Sequence, residues 1–388
     1  VLYLLFDHLL HGQAYAYKSV LFRSACAIIL SFVIVWWFGP AFIRMLLRLK
    51  LRDVPEFDHK ALNELTRDNA DTPSMGGVLI LAAILASVLL LADLGNYYVR
   101  MGVVCLVWLG LLGATDDWLK LTARIRGGTR DGLKMYQKLL FQVALGVLLG
   151  YFIYRHGSAN SAYLATVVNP DSFEAASFQR LEAFRILAVP FYKHGVPLTV
   201  PLFMITTVLV TAGTSNAVNL TDGMDGLAAG CVALCSFVFV ILAVIIGDVD
   251  QATRLLLPAV PLADELGVLC GAMVGSCLGF LWYNCHPASV FMGDTGSLPL
   301  GGLIGYVAIV TRQELMLFIV GGIFVIEALS VILQVGCYKL SGGKRIFLVA
   351  PIHHHFHLKG WTETQTVTRF WLISALFAAF ALATLKLR

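Results

Sequence analysis

The chain has 388 residues, of which 58% are hydrophobic and only 13% charged, with a formal net charge of +4. An average soluble domain carries about a quarter charged residues, so this composition excludes a soluble globular protein. It predicts an all-α, polytopic integral membrane protein. The positive excess is accounted for by basic loops at membrane edges, and no nucleic acid partner is expected.

Apolar runs suited to crossing a hydrocarbon core at about 1.5 Å per residue occur around 20–40, 76–92, 100–115, 139–154, 198–214, 227–246, 266–284, 298–311, 316–335 and 370–386. Ten spans are therefore expected in a single membrane domain over 1–388, with both termini on one side. The runs at 100–115, 139–154 and 298–311 are short, and the last is rich in glycine. Loops 41–75 and 116–138 hold six Lys or Arg each and 336–369 holds five, whereas 93–99, 247–265 and 312–315 carry one or none. The segment 155–197 dilutes four over about 43 residues. The bias of basic residues toward the cytoplasm places the first three loops on that side. Asp7 and His8 stand where a signal peptide would carry basic residues, so no cleaved leader is expected. The eight cysteines lie mostly within apolar runs and form no C-x-x-C pair, reading as small buried hydrophobes. There is no internal repeat.

Four polar clusters interrupt the ends of these runs, all on the predicted cytoplasmic side. Acids and imidazoles are expensive at a membrane edge, so their convergence predicts one shared polar site. Asp116-Asp117 are adjacent acids that can share a cation or raise one another's pKa; taken alone, a solvated helix end explains them slightly better. Lys120 occupies the last position of a D-D-x-x-D pattern, which weakens a prenyltransferase reading. In Asn219-Leu-Thr-Asp-Gly-Met-Asp-Gly226, Asp222 and Asp225 would share a face if a helix begins there. Gly223 and Gly226 would let the backbone approach a ligand closely. Asn219-Leu-Thr221 matches a glycosylation acceptor, but a cytoplasmic position argues against its use. Phe291-Met-Gly-Asp294 sets one acid in a glycine turn, which suits a hard cation or a simple cap of the next helix. Neighbouring histidines in His353-His354-His355 cannot easily aim at one ion, so phosphate contact fits them better than zinc.

Several segments in order resemble the phospho-N-acetylmuramoyl-pentapeptide transferase family of polyprenyl-phosphate sugar-1-phosphate transferases. They are Phe38-Gly-Pro40, Thr72-Pro-Ser-Met-Gly-Gly77, Asp116-Asp117, Asn216 to Gly226, Phe280-Leu-Trp-Tyr-Asn284, Phe291-Met-Gly-Asp294, Glu327 to Gln334 and Ile352-His-His-His-Phe356. The triple histidine with Leu358-Lys-Gly-Trp361 separates the chain from sister enzymes that transfer N-acetylglucosamine phosphate. The resemblance implies ten helices, both termini periplasmic, and a cytoplasmic cleft in the bacterial inner membrane. The implied reaction joins the phospho-sugar of UDP-MurNAc-pentapeptide to undecaprenyl phosphate, giving lipid I and UMP in peptidoglycan synthesis, with Mg2+ as cofactor. A homodimer is left open.

By the same resemblance Asp294 is the metal ligand, and Asp116 and Asp117 handle the metal or deprotonate the lipid phosphate. Covalent attack by an Asp and direct attack by the lipid both stay open. Asp222 would lie near the reacting centre, Lys138 near the lipid side, and His353, His354 and His355 near the pyrophosphate, where positive charge would stabilise anionic oxygens. Asn219, Gly223, Met224, Asp225, Asn284 and Phe291 would bind the nucleotide, Phe291 stacking on uracil. The chain departs from the family at Arg67-Asp-Asn-Ala-Asp71, where a lysine is expected, and at His357, where a glutamate is usual. A sister sugar-phosphate transferase, an aromatic prenyltransferase lacking its second acid motif, and a transporter lacking mid-span acids rank below this reading in that order.

Overall fold

The computed structural model describes residues 16–49, 72–122, 132–167, 182–192 and 195–385. They form thirteen α-helices: α1 (Val20–Arg48), α2 (Gly77–Leu91), α3 (Tyr97–Thr122), α4 (Met135–Val167), α5 (Val200–Thr221), α6 (Leu227–Gly247), α7 (Val249–Arg254), α8 (Leu266–Asn284), α9 (Asp294–Val310), α10 (Glu314–Val320), α11 (Gly322–Leu340), α12 (Ile352–Leu358) and α13 (Glu363–Thr384). The one sheet among these residues is a two-stranded antiparallel hairpin, Ile186–Leu187 with Val196–Pro197. Eight helices are long and apolar enough to cross a membrane, and α2 and α9 are shorter apolar helices of 15 and 17 residues. The protein is thus an all-α, multi-pass membrane protein. The expected 316–335 run is divided at Gly321 into α10 and α11.

The distribution of burial explains the short helix. α1, α11 and α13 are mostly outward-facing, α6 and α8 mostly buried, and every residue of α9 is buried. A helix enclosed by protein need not match the thickness of lipid, because its neighbours carry the span. α9 packs chiefly against α3 and α5. The approach to α3 is close enough that a Cβ at Gly113 would overlap the Asp294 carbonyl oxygen. Glycine is therefore required where α3 delivers Asp116 and Asp117 to the start of α9. On the other side, the Thr72–Gly77 segment pairs by backbone with the loop before α9: Phe291 N–H donates to Pro73 O (2.8 Å), Gly76 N–H to Phe291 O (2.8 Å) and Gly77 N–H to Met292 O (2.9 Å). That segment is a scaffold that fixes the turn carrying Asp294.

Candidate active site

Asp116, Asp117 and Asp294 come together: each offers an oxygen within 4.8 Å of the others. The two adjacent acids nevertheless have different duties. Asp117 accepts the first-turn amides of α9, from Asp294 (3.1 Å) and Thr295 (2.8 Å), and the Thr295 hydroxyl (2.6 Å). It acts as a cap and a counter-charge to the positive end of the helix. Asp116 accepts the Leu133 N–H (2.7 Å) and pairs with Lys138 (2.7 Å) and Lys120 (2.8 Å). Asp294 pairs with the same two ammonium groups, Lys138 at 2.6 Å and Lys120 at 3.3 Å. The lysines thus bridge Asp116 and Asp294, standing where a divalent cation would stand. Lys120 lies one helical turn beyond Asp116, and that i,i+4 spacing is the signal that could have marked it beforehand.

Several expected residues take other places. Asn219, expected on the nucleotide, donates through its amide nitrogen to Asp294 Oδ1 (2.8 Å) and Ser297 Oγ (2.9 Å). It orients the acid instead. Asp222 and Asp225 do not share a helical face, because α5 ends at Thr221 and α6 begins only at Leu227 after a turn whose Gly226 has φ of 80°. Asp222 is turned toward the acid cluster and accepts the Gly293 N–H. Burial first, then the charges of Asp294, Asp117 and Asp225, push its carboxyl up to about 8. Asp225 instead accepts the Ala288 N–H (3.0 Å) and faces His286 Nδ1 (3.0 Å), while its own N–H donates to Glu363 (2.9 Å).

Asn284 ties this turn to the loop before α9, accepting the Gly226 N–H (3.0 Å) and donating to Val290 O (2.9 Å). Its amide shapes the pocket between Asp225 and half-buried Phe291. Met224 is buried and Gly223 exposed beside it. Neither His286 nor Glu363 carries a sequence signal that separates it from other polar residues at a span end.

The triple histidine lies on α12. His353 and His354 are buried and their rings are 4.2 Å apart, whereas His355 turns away and accepts the Leu348 N–H (3.1 Å). The surroundings of the second and third imidazoles disfavour positive charge. Burial, then the charges of His353 and His357, hold His354 down at about 2, and burial and Lys359 lower His355. The cations of the site are Lys120 and Lys138. The altered Arg67–Asp71 segment and Lys60 lie outside the described residues.

Three buried carboxylates are hard oxygen donors of the kind magnesium prefers, and two ammonium groups already gather on them, so the residues fit such an ion. An apolar groove of about 250 Å³ lies between α5 and α10–α11, lined by Leu209, Ala217, Phe318, Phe324 and Leu329. Leu209, Gly213 and Ala217 put the groove on one face of α5, whereas Asn219, two residues on, turns the other face of the helix to Asp294.

The fold is that of a multi-pass membrane protein, and its residues 99–312 match the sequence model of glycosyl transferase family 4, which makes it a membrane-embedded transferase. Residues 70–81 match signature 1 of the phospho-N-acetylmuramoyl-pentapeptide-transferases. The chain belongs to that family. It is 41% identical to the phospho-N-acetylmuramoyl-pentapeptide-transferase of Desulfotalea psychrophila over 99% of this chain and 100% of that protein. It is also 41% identical to that of Thermodesulfovibrio yellowstonii over 100% and 99%, and 43% identical to that of a Geobacter species over 98% and 99%.

Proposed function

We propose that the protein transfers phospho-N-acetylmuramoyl-pentapeptide from its UDP-linked form to undecaprenyl phosphate, yielding lipid I and UMP at the cytoplasmic face of the bacterial inner membrane. The observation that carries this reading is the joining of Asp116 and Asp294, from two helices, by Lys120 and Lys138. An oxygen of the lipid phosphate attacks the phosphorus bonded to the sugar. The bond from that phosphorus to the bridging oxygen breaks, and UMP leaves with the electron pair.

Lys120 and Lys138 hold the phosphate oxygens, and the apolar groove takes the first isoprene units of the acceptor. Phe291 and Asp225 bind the uridine, with Gly223, Met224 and Asn284 shaping the pocket. Asp294, with Asp116 and Asp117 beside it, would hold Mg2+, which when bound neutralises charge on the diphosphate. Asn219 fixes the direction of Asp294. Asp222 keeps a proton at neutral pH in the ligand-free site, next to the reacting phosphates.

Turnover by the purified protein with undecaprenyl phosphate, assayed with UDP-MurNAc-pentapeptide against UDP-N-acetylglucosamine and with or without Mg2+, tests the reading. Lipid I and UMP are expected from the first donor only, and only with the metal. Product from the second donor alone would reassign the protein to a sister transferase.

A further inference from the structure

Glu327 on α11 and His353 on α12 form a pair outside the acid cluster. Both are 0% exposed, and His353 Nδ1 lies 3.1 Å from Glu327 Oε2. Among the described residues neither the carboxylate oxygens nor the ring nitrogens have a hydrogen bond of ordinary geometry, so the 3.1 Å contact between Nδ1 and Oε2 is what joins the two groups. A buried carboxylate left alone is strongly unfavourable, so each group accounts for the burial of the other. The opposite edge of the ring meets the turn after α5: a Cβ on Gly223 would overlap His353 Nε2. The imidazole is thus held at one nitrogen by Glu327 and presents the other to the Asp222–Gly223 turn.

We propose that Glu327 is a positioning residue for the transfer reaction, receiving the Nδ1–H of His353 and so fixing Nε2 toward the phosphates handled at that turn. The inference rests on the transferase reading above. An imidazole has two distinct nitrogens, and which one faces the substrate is set by the bond the other makes. Without Glu327 the ring can turn over or exchange tautomers. The contact between α11 and α12 is what prevents this.

Turnover of E327Q, E327L, H353A and the E327L/H353A double variant tests the pairing, with kcat and the KM for UDP-MurNAc-pentapeptide measured separately. E327L should lower kcat by about tenfold to a hundredfold, the usual cost of losing an orienting partner, with KM little changed. E327Q, whose carbonyl still accepts the Nδ1–H, should recover most of that loss. The double variant should be no worse than H353A, because the two residues act as one unit. Wild-type kcat in folded E327L, or losses that multiply in the double variant, would overturn the proposal.

Should E327L not survive purification, E327D draws the carboxylate back by one methylene and carries the same expectation of lowered kcat at constant KM. Nitrogen-15 spectra of the histidines read the ring without turnover: His353 should carry its proton on Nδ1 in the parent and lose that preference in E327L or E327D. An unchanged tautomer would sink the positioning role. An inactive parent with the expected tautomer would overturn only the transferase reading.

Discussion

Replacing Asp117 by alanine should destabilise the protein far more than the same change at Asp116, although the two are neighbours and both are buried. The Asp117 carboxylate takes two first-turn amides of α9 and the Thr295 hydroxyl. Hydrogen bonds to a charged partner contribute about 1.5–3 kcal/mol each, and loss of a helix cap alone costs about 0.5–2 kcal/mol. These contributions overlap, and removing one of three mutually repelling acids offsets part of the loss. A net cost of about 2–4 kcal/mol is expected. Asp116 is held mainly by Lys120 and Lys138, whose side chains are 28% and 19% exposed. Those chains can turn to Asp294 or to water, which leaves chiefly the single Leu133 N–H without its acceptor, so D116A should cost about 1 kcal/mol. Thermal unfolding in one detergent should show D117A melting several degrees below the parent, with D116A close to it. Equal shifts, or a larger one for D116A, would refute the division of labour between capping and charge pairing.

D294N should abolish turnover while the protein stays folded, since the amide keeps the shape of the acid but not its attraction for a divalent ion; activity in a folded D294N protein would displace Asp294 from the metal site. Binding of Mg2+ at pH 7 should release about one proton, because Asp222, raised to about 8, is protonated in the free site and a nearby cation favours its ionised form. The release, read as a buffer-dependent heat of titration, should fade as pH rises above 8 and vanish in D222N. F291A should raise the KM for the nucleotide roughly threefold to tenfold with kcat nearly constant, as expected from losing about 0.5–1.5 kcal/mol of stacking; an unchanged KM would place the base elsewhere.

The ten apolar runs were legible because hydropathy is a local property, and each run became a helix or, at Gly321, two. The reason 298–311 is short was not legible, since it depends on α3 and α5 enclosing α9. The shared cytoplasmic side of the polar clusters, together with the family resemblance, grouped Asp116, Asp117 and Asp294. Neither signal could distinguish the cap from the ion-pair partner, because that depends on the close approach of Gly113 to α9. The reading of Asp222 and Asp225 as one face failed for a local reason: the chain leaves helix at Thr221, and both acids lie in the turn before Leu227, where helical spacing does not apply. Asn219 was placed on the nucleotide by the family resemblance alone. Its donation to Asp294 required knowing that α5 lies against α9.

The total enclosure of α9 also bears on how the protein is made. A segment that begins Asp294-Thr-Gly-Ser and carries Pro299 inside it is a poor substrate for partitioning alone into lipid, since an acid costs about 2.5–3.5 kcal/mol at the centre of an isolated span. Its two main neighbours, α3 and α5, precede it in the chain and leave the ribosome first. α9 can therefore enter the bilayer against a ready-made wall, with Asp117 and Asn219 waiting for its first turn. Biogenesis and catalysis then share the same contacts, and a variant that weakens them should accumulate in the membrane to a lower level than the parent.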